Sequence, residues 1–131
     1  MEQKIVVHLR GGGIHKGVTH DFDPDRETFH LLPAEGGGVP FRVRLDDAKA
    51  VFYVKDYLGN RDFIARRHFD QVQRHGRRVI LTFYDGEQMW GTIAEGDEVK
   101  PGFYFYPADE RDNNIRLFVP KSSLKDLQVV A

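Results

Sequence analysis

From Val79 onward the chain alternates in character with a period of two, Val79, Leu81 and Phe83 facing one way and Ile80, Thr82 and Tyr84 the other. That period predicts a half-buried strand. Asp85-Gly86 at its end predicts a hairpin, because a type I′ turn needs positive φ and glycine supplies it. Ile5, Val7 and Leu9 carry the same phase and run into Gly11-Gly12-Gly13, which permits the same turn with less specificity. Beyond the turns, Gly17 and Gly91 interrupt the second strands, where an interior glycine predicts a bend or bulge. Third strands follow at Phe29 to Leu32 and Phe103 to Tyr106, and each stops at a proline, Pro33 or Pro107, which cannot continue a central ladder. Four further apolar runs predict the remaining strands: Phe41 to Leu45, Ala50 to Val54, Ile115 to Val119 and Leu124 to Val130.

These elements come in two matching sets. At one constant offset Gly12 falls on Gly86, Gly17 on Gly91, Phe29 on Phe103, Pro33 on Pro107 and Ala34 on Ala108. A two-residue insertion in the second set then brings Val43 onto Val119 and Lys49 onto Lys125. Shared glycines, a Pro-Ala pair and a common strand phase predict an internal duplication, each copy of about fifty residues. Four or five short, bent strands in that length suit a small barrel of the SH3-like or Sm-like kind.

Between the sets the pattern changes from strand to helix. Ala65, Phe69 and Val72 recur at helical spacing, Asn60 or Asp62 can cap the start, and Gly76 suits the position past the end, which predicts a helix from Asp62 to Arg74. The expected fold is mainly β: a tandem of SH3-like or Sm-like small β-barrels with one connecting α-helix. The first repeat would span residues 1–55, the basic helical connector 56–77 and the second repeat 78–131. Copies this small would bury only about 60% of their unfolded surface alone, so the three parts are expected to pack as one unit.

Composition narrows the chemistry. The 131 residues hold no cysteine, which removes disulfides, thiolate metal sites and cysteine nucleophiles. With 40% hydrophobic and 30% charged residues the chain has globular character, and no apolar run approaches the roughly 20 residues that cross a bilayer. MEQKIVVHLRGGG lacks a signal-peptide core, so a cytoplasmic protein without membrane contact is expected. The formal charge is -1, from 19 Lys plus Arg against 20 Asp plus Glu, which disfavours a surface basic all over. The charges are nonetheless segregated. Lys55 to Arg78 carries seven basic residues against three acids, a net +4, whereas Asp21 to Glu27 carries four acids and one Arg, and residues 95–112 six acids against Lys100 and Arg111. The basic segment, including Arg66 and Arg67, can pair with those acidic loops or be offered to a phosphate or an acidic partner.

Val79, Leu81, Phe83, Asp85-Gly86 and Gly91 together resemble the first half of an Sm-type barrel. That resemblance implies single-stranded RNA as a ligand, although EGDEVKPG and NNIRLFVP stand where Sm proteins carry their RNA-binding Asn and Arg-Gly. Arg74-His75-Gly76-Arg77-Arg78 ahead of Val79, with Asp97 to Gly102, is similar to the RxxxR and [D/N]xSxxG stretches of PilZ domains, with Val99 in place of the serine. This implies a cyclic di-GMP site built on Arg74, Arg78, Asp97 and Gly102, chemistry that suits arginine forks. The paired arrangement as a whole resembles an uncharacterised bacterial family of duplicated small β-barrels, which implies no activity.

Other candidates are fewer. A two-residue first turn would set His8 across from His15, but a metal site needs three or four convergent ligands, so His20 and His30 would have to join them, and no metal is expected. Strand alternation points Tyr84, Tyr104 and Tyr106 away from the second core, with Trp90 on the adjacent strand. Such a face can dock a peptide, stack bases or form a homodimer. GxSxG, HExxH and Walker patterns are absent and no cofactor is implied. The expectation is a non-enzymatic binding or regulatory module, with a protein partner or homodimer ahead of a cyclic dinucleotide or RNA.

Overall fold

The computed structural model describes residues 3–36, 38–58 and 76–130. The chain forms β1 (Lys4–Leu9), β2 (Ile14–Val18), β3 (Thr28–Pro33), β4 (Phe41–Arg44), a 3-10 turn (Leu45–Asp47) and β5 (Ala48–Val54). The second series is β6 (Arg77–Phe83), β7 (Gln88–Ile93), a 3-10 turn (Asp97–Val99), β8 (Gly102–Pro107), β9 (Asn114–Pro120), a 3-10 turn (Lys121–Ser123) and β10 (Leu124–Val130). The fold is mainly β, and the helix expected from Asp62 to Arg74 lies outside the described residues. No helix among the described residues is long and apolar enough to cross a membrane.

All ten strands join one antiparallel sheet in the order β10-β6-β7-β8-β9-β5-β1-β2-β3-β4. A tandem of two small β-barrels packed as one unit was expected; the described strands instead form a single sheet that is not closed. The turns Leu45–Asp47 and Lys121–Ser123 carry the chain across the sheet instead of folding it back, so β4 does not pair with β5, nor β9 with β10. The outer edge of β5 is taken by β9, which leaves the sheet open, with β4 and β10 at its two ends.

The ladders of the two series share one register. Ile5 opposes Gly17 as Val79 opposes Gly91, Phe29 opposes Val43 as Phe103 opposes Val119, and Val7 opposes Val51 as Leu81 opposes Leu127. Gly17 and Gly91 earn their places by close approach: a Cβ on either would run into the carbonyl oxygen of Leu32 or Tyr106 on the next strand. The expected two-residue turns are three-residue ones. Phe83 N–H bonds the Glu87 carbonyl at 2.9 Å around Tyr84, Asp85 and Gly86, and Leu9 N–H bonds that of Gly13 at 2.8 Å. Only one glycine in each turn has positive φ, Gly12 at 104° and Gly86 at 92°.

Two cores result. Ile5, Val7, Phe29, Leu31, Val43, Val51 and Tyr53 line the first, and Val79, Leu81, Phe83, Phe103, Phe105, Leu117 and Val119 the second. At the β5·β9 seam each strand serves both. Ala50, Phe52 and Val54 on β5 turn their side chains into the second core, while Phe118 on β9 turns into the first, where it meets Phe22 at 5.5 Å and Tyr104 at 5.2 Å between ring centroids. Burying each of the larger side chains here, Phe52, Val54 and Phe118, contributes about 1.5–3 kcal/mol.

Candidate functional site

The hairpin turns of β1–β2 and β6–β7 face one another across a cleft of about 520 Å3, lined by His8, Arg10, Gly11 to Gly13, Ile14, Lys49, Tyr84 and Asp85. Lys49 crosses its floor. Its Nζ donates to Asp85 Oδ2 at 2.6 Å and to Glu87 Oε1 at 2.7 Å, and lies 4.8 Å from the centroid of the Phe83 ring. Burial works to lower the Lys49 pKa, but the bonds from Asp85 and Glu87 outweigh it and hold it above the ordinary lysine value. The same bond to Lys49, then the N–H of Glu87, holds Asp85 below the usual carboxylate range. Ser123 Oγ adds a second tie between the two series, 2.7 Å from the Lys49 carbonyl and 2.8 Å from that of Pro120.

His8 borders this ion cluster with its ring 4.5 Å from that of Phe52. Burial first, and Lys49 second, push its pKa below the ordinary histidine value, so it is neutral at pH 7. The expected facing of His8 and His15 does not occur. The extra turn residue sets His8 opposite Ile14 and His15 opposite Val7, and a one-residue slip sends a side chain to the other face. His15 stacks on Phe41 at 3.9 Å and His30 Nδ1 lies 2.7 Å from Asp21 Oδ2. Among the described residues no group of three His, Cys, Asp or Glu side chains could hold a metal ion.

The aromatic face separates into parts. Tyr84 stands at the rim of the cleft with 66% of its surface exposed. Trp90 and Tyr106 are half-buried on β7 and β8, opposite Ile80 and Thr92. Tyr104 is drawn into the seam, where the Arg116 guanidinium lies 4.4 Å from both its ring and that of Tyr53. Burial, with Tyr104 beside it, pushes the Tyr53 phenol well up.

Arg66, Arg67 and Arg74 lie outside the described residues. Arg78 is exposed on β6 between Thr92 and Val130, and Asp97 is buried with its carboxylate 2.9 Å from Lys100 Nζ. Gly102 starts β8, where a Cβ would meet the Phe118 ring at 2.6 Å, so packing alone requires glycine there. The two stretches do adjoin: Arg77 Nε lies 3.0 Å from Glu98 Oε2 and its Nη2 3.4 Å from Glu95 Oε1. At this point the basic segment pairs with its own acidic loop.

Sequence reasoning missed the Lys49, Asp85 and Glu87 cluster. Lys49 was visible as a residue shared with Lys125, but its carboxylate partners belong to the second series, and only the seam brings them near.

Searches of curated proteins and of solved structures find no match. A model of a family of unknown function, DUF6982, matches residues 1–131, and the chain belongs to that family.

Proposed function

We propose that the chain is a tandem of two related β repeats, each with strands in the sequence of a small SH3-like or Sm-like barrel but opened into one shared sheet, acting in the cytoplasm as a non-enzymatic binding or regulatory module, and that a protein partner meets it at the cleft between the two hairpins. The shared ladder registers support the repeat reading. The observation that carries the functional reading is Tyr84, a large aromatic held 66% exposed at the rim, facing Ile14 at 55% exposure. A tyrosine offers wide contact area at low entropic cost, and exposed aromatics are enriched where proteins meet. Lys49 supports a rigid floor, since its ion pairs are satisfied within the chain and join both walls.

The test is photo-cross-linking from position 84, with the captured protein purified and its affinity measured by calorimetry. Tyr84→Ala and Ile14→Asp should each weaken it at least tenfold, about 1.4 kcal/mol. Failure of both variants to weaken binding would sink the cleft. Cyclic di-GMP and single-stranded RNA are titrated alongside. The adjoining of Arg77 and Glu98 favours the cyclic dinucleotide as the second reading, and micromolar heat abolished by Arg78→Ala would establish it in place of the first. Steeply salt-dependent RNA binding would likewise replace it.

A further inference from the structure

Leu127 and Val129 on β10 occupy the ladder positions that Val51 and Tyr53 hold on β5: Val7 pairs with Val51 and Leu81 with Leu127, Ile5 with Tyr53 and Val79 with Val129. Their surroundings differ. Val51 is 0% and Tyr53 5% exposed because Phe118 and Arg116 of β9 lie against them, whereas Leu127 is half-exposed and Val129 41% exposed. Beside β10 runs a groove of about 400 Å3, large enough for an aromatic side chain, in which Leu124, Leu127 and Val129 are rimmed by Lys121, Lys125, Asp126 and Glu98. Among the described residues β10 has one ladder partner, β6, so its outer edge is unpaired.

We propose that β10 accepts an extended strand from a partner protein, antiparallel to it, with an aromatic side chain seated beside Leu127 as Phe118 is seated beside Val51. The chain already makes this joint once, at its own seam, which supplies both the direction and the anchor. Asp126 and Gln128 alternate with Leu127 and Val129 along β10 and are exposed, so the incoming strand is amphipathic: aromatic and apolar beside Leu127 and Val129, polar beside Asp126 and Gln128. A second copy of this chain does not provide such a strand. Of its two edges among the described residues, β10 (LKDLQVV) has no aromatic side chain to offer, and β4 is four residues long, follows Pro40, and carries Arg42 at the place of Phe118 and Arg44 where Lys125 would oppose it. This site is separate from the cleft.

The probe is a fluorescent peptide with the sequence of Asn113 to Lys121, with Leu117→Thr and Val119→Thr to make its outer face polar, added to the full-length protein. Saturable binding is expected, with amide shift changes centred on Leu124 to Val130. Binding should weaken at least tenfold with Phe118→Ala in the peptide, with N-methylation of its edge amides, and with Val129→Lys in the protein, an exposed position whose change leaves the fold intact. Tyr84→Ala should leave it unchanged. The proposal is overturned by no saturation up to about 1 mM, by binding indifferent to those changes, or by shifts at Ala48 to Val54, which would mean exchange into the seam. Self-association abolished by Val129→Lys would overturn it too, by naming a second copy as the occupant.

Discussion

The inner seam and the two outer edges are the same pair of strands met twice, and they have been written differently. β5 reads AKAVFYV and is buried at almost every position, while β10 at matching ladder positions reads LKDLQVV and is mostly open. Asp126 stands for Ala50, and Gln128 for Phe52. Across the joint, β9 runs seven residues and presents Phe118 to Val51, whereas β4 runs four and carries Arg42 at that place. Identical backbone geometry can therefore be a core or a boundary, and polar residues on one outward face decide which. Charges, a proline and a short strand are the usual means of stopping a sheet from growing. The boundary is the more complete at β4, where His15 lies over Phe41.

Exchanging residues between the two contexts should break the comparison most sharply. Ala50→Asp, which copies the outer edge into the seam, places an unpaired carboxylate in the second core and should destabilise by about 4 kcal/mol or more, while Asp126→Ala should stay within about 0.5 kcal/mol; urea midpoints compare the two. Phe118→Ala empties a site in the first core and should cost about 3–5 kcal/mol, against about 0.5 kcal/mol or less for its exposed counterpart in Arg42→Ala. Thermal melts of both variants would make this visible as a wide gap in Tm.

The ion cluster gives a smaller contrast. Lys49→Met should cost about 1 kcal/mol, since the partner carboxylates are half-exposed, while Lys125→Met should cost nothing measurable. Its pH dependence follows from the two shifts. Asp85 is held below its ordinary value, so its contribution is complete above the ordinary carboxylate range and lost as pH falls through the folded value. Lys49 is held above its ordinary value, so its share is complete below that value and lost as pH rises through the folded one. Stability of the parent relative to Lys49→Met should thus be flat across neutral pH and converge at both extremes. Smallest of all, Gly11→Ala should stabilise by about 0.4–1 kcal/mol, because the position has neither positive φ nor a neighbour within 4 Å of a Cβ, and the gain arises in the unfolded chain.

Strand positions were legible because alternation and turn glycines are local signals. Val79, Leu81 and Phe83 could only bury one face, and Pro33 and Pro107 had to end their strands. The hairpin length was misread because Asp85-Gly86 fits both a two-residue turn and a three-residue turn with glycine last; the second needs positive φ only at Gly86. That single residue moved His15 to the other face. The identity of the partner at the seam was not legible, since nothing local in AKAVFYV says that its second neighbour is a strand from the other series. A run apolar on both faces was the available sign: such a strand must be covered twice. Tyr104 was assigned to a free face by alternation, and the seam took it up for the same reason.

The seam also sets the order of events in time. Each β1–β2 or β6–β7 hairpin joins neighbours across a three-residue turn, but Val54 and Asn114 meet only after about sixty residues of chain have been closed into a loop. Contacts of that span are slow to find and carry most of the topological cost of folding. The joint that completes both cores is therefore one a newly made chain reaches late: synthesis must pass β9 before β5 gains its second neighbour. Until then Ala50, Phe52 and Val54 lie bare on an unpaired edge, and this interval, more than the finished molecule, is where the chain is exposed to mispairing.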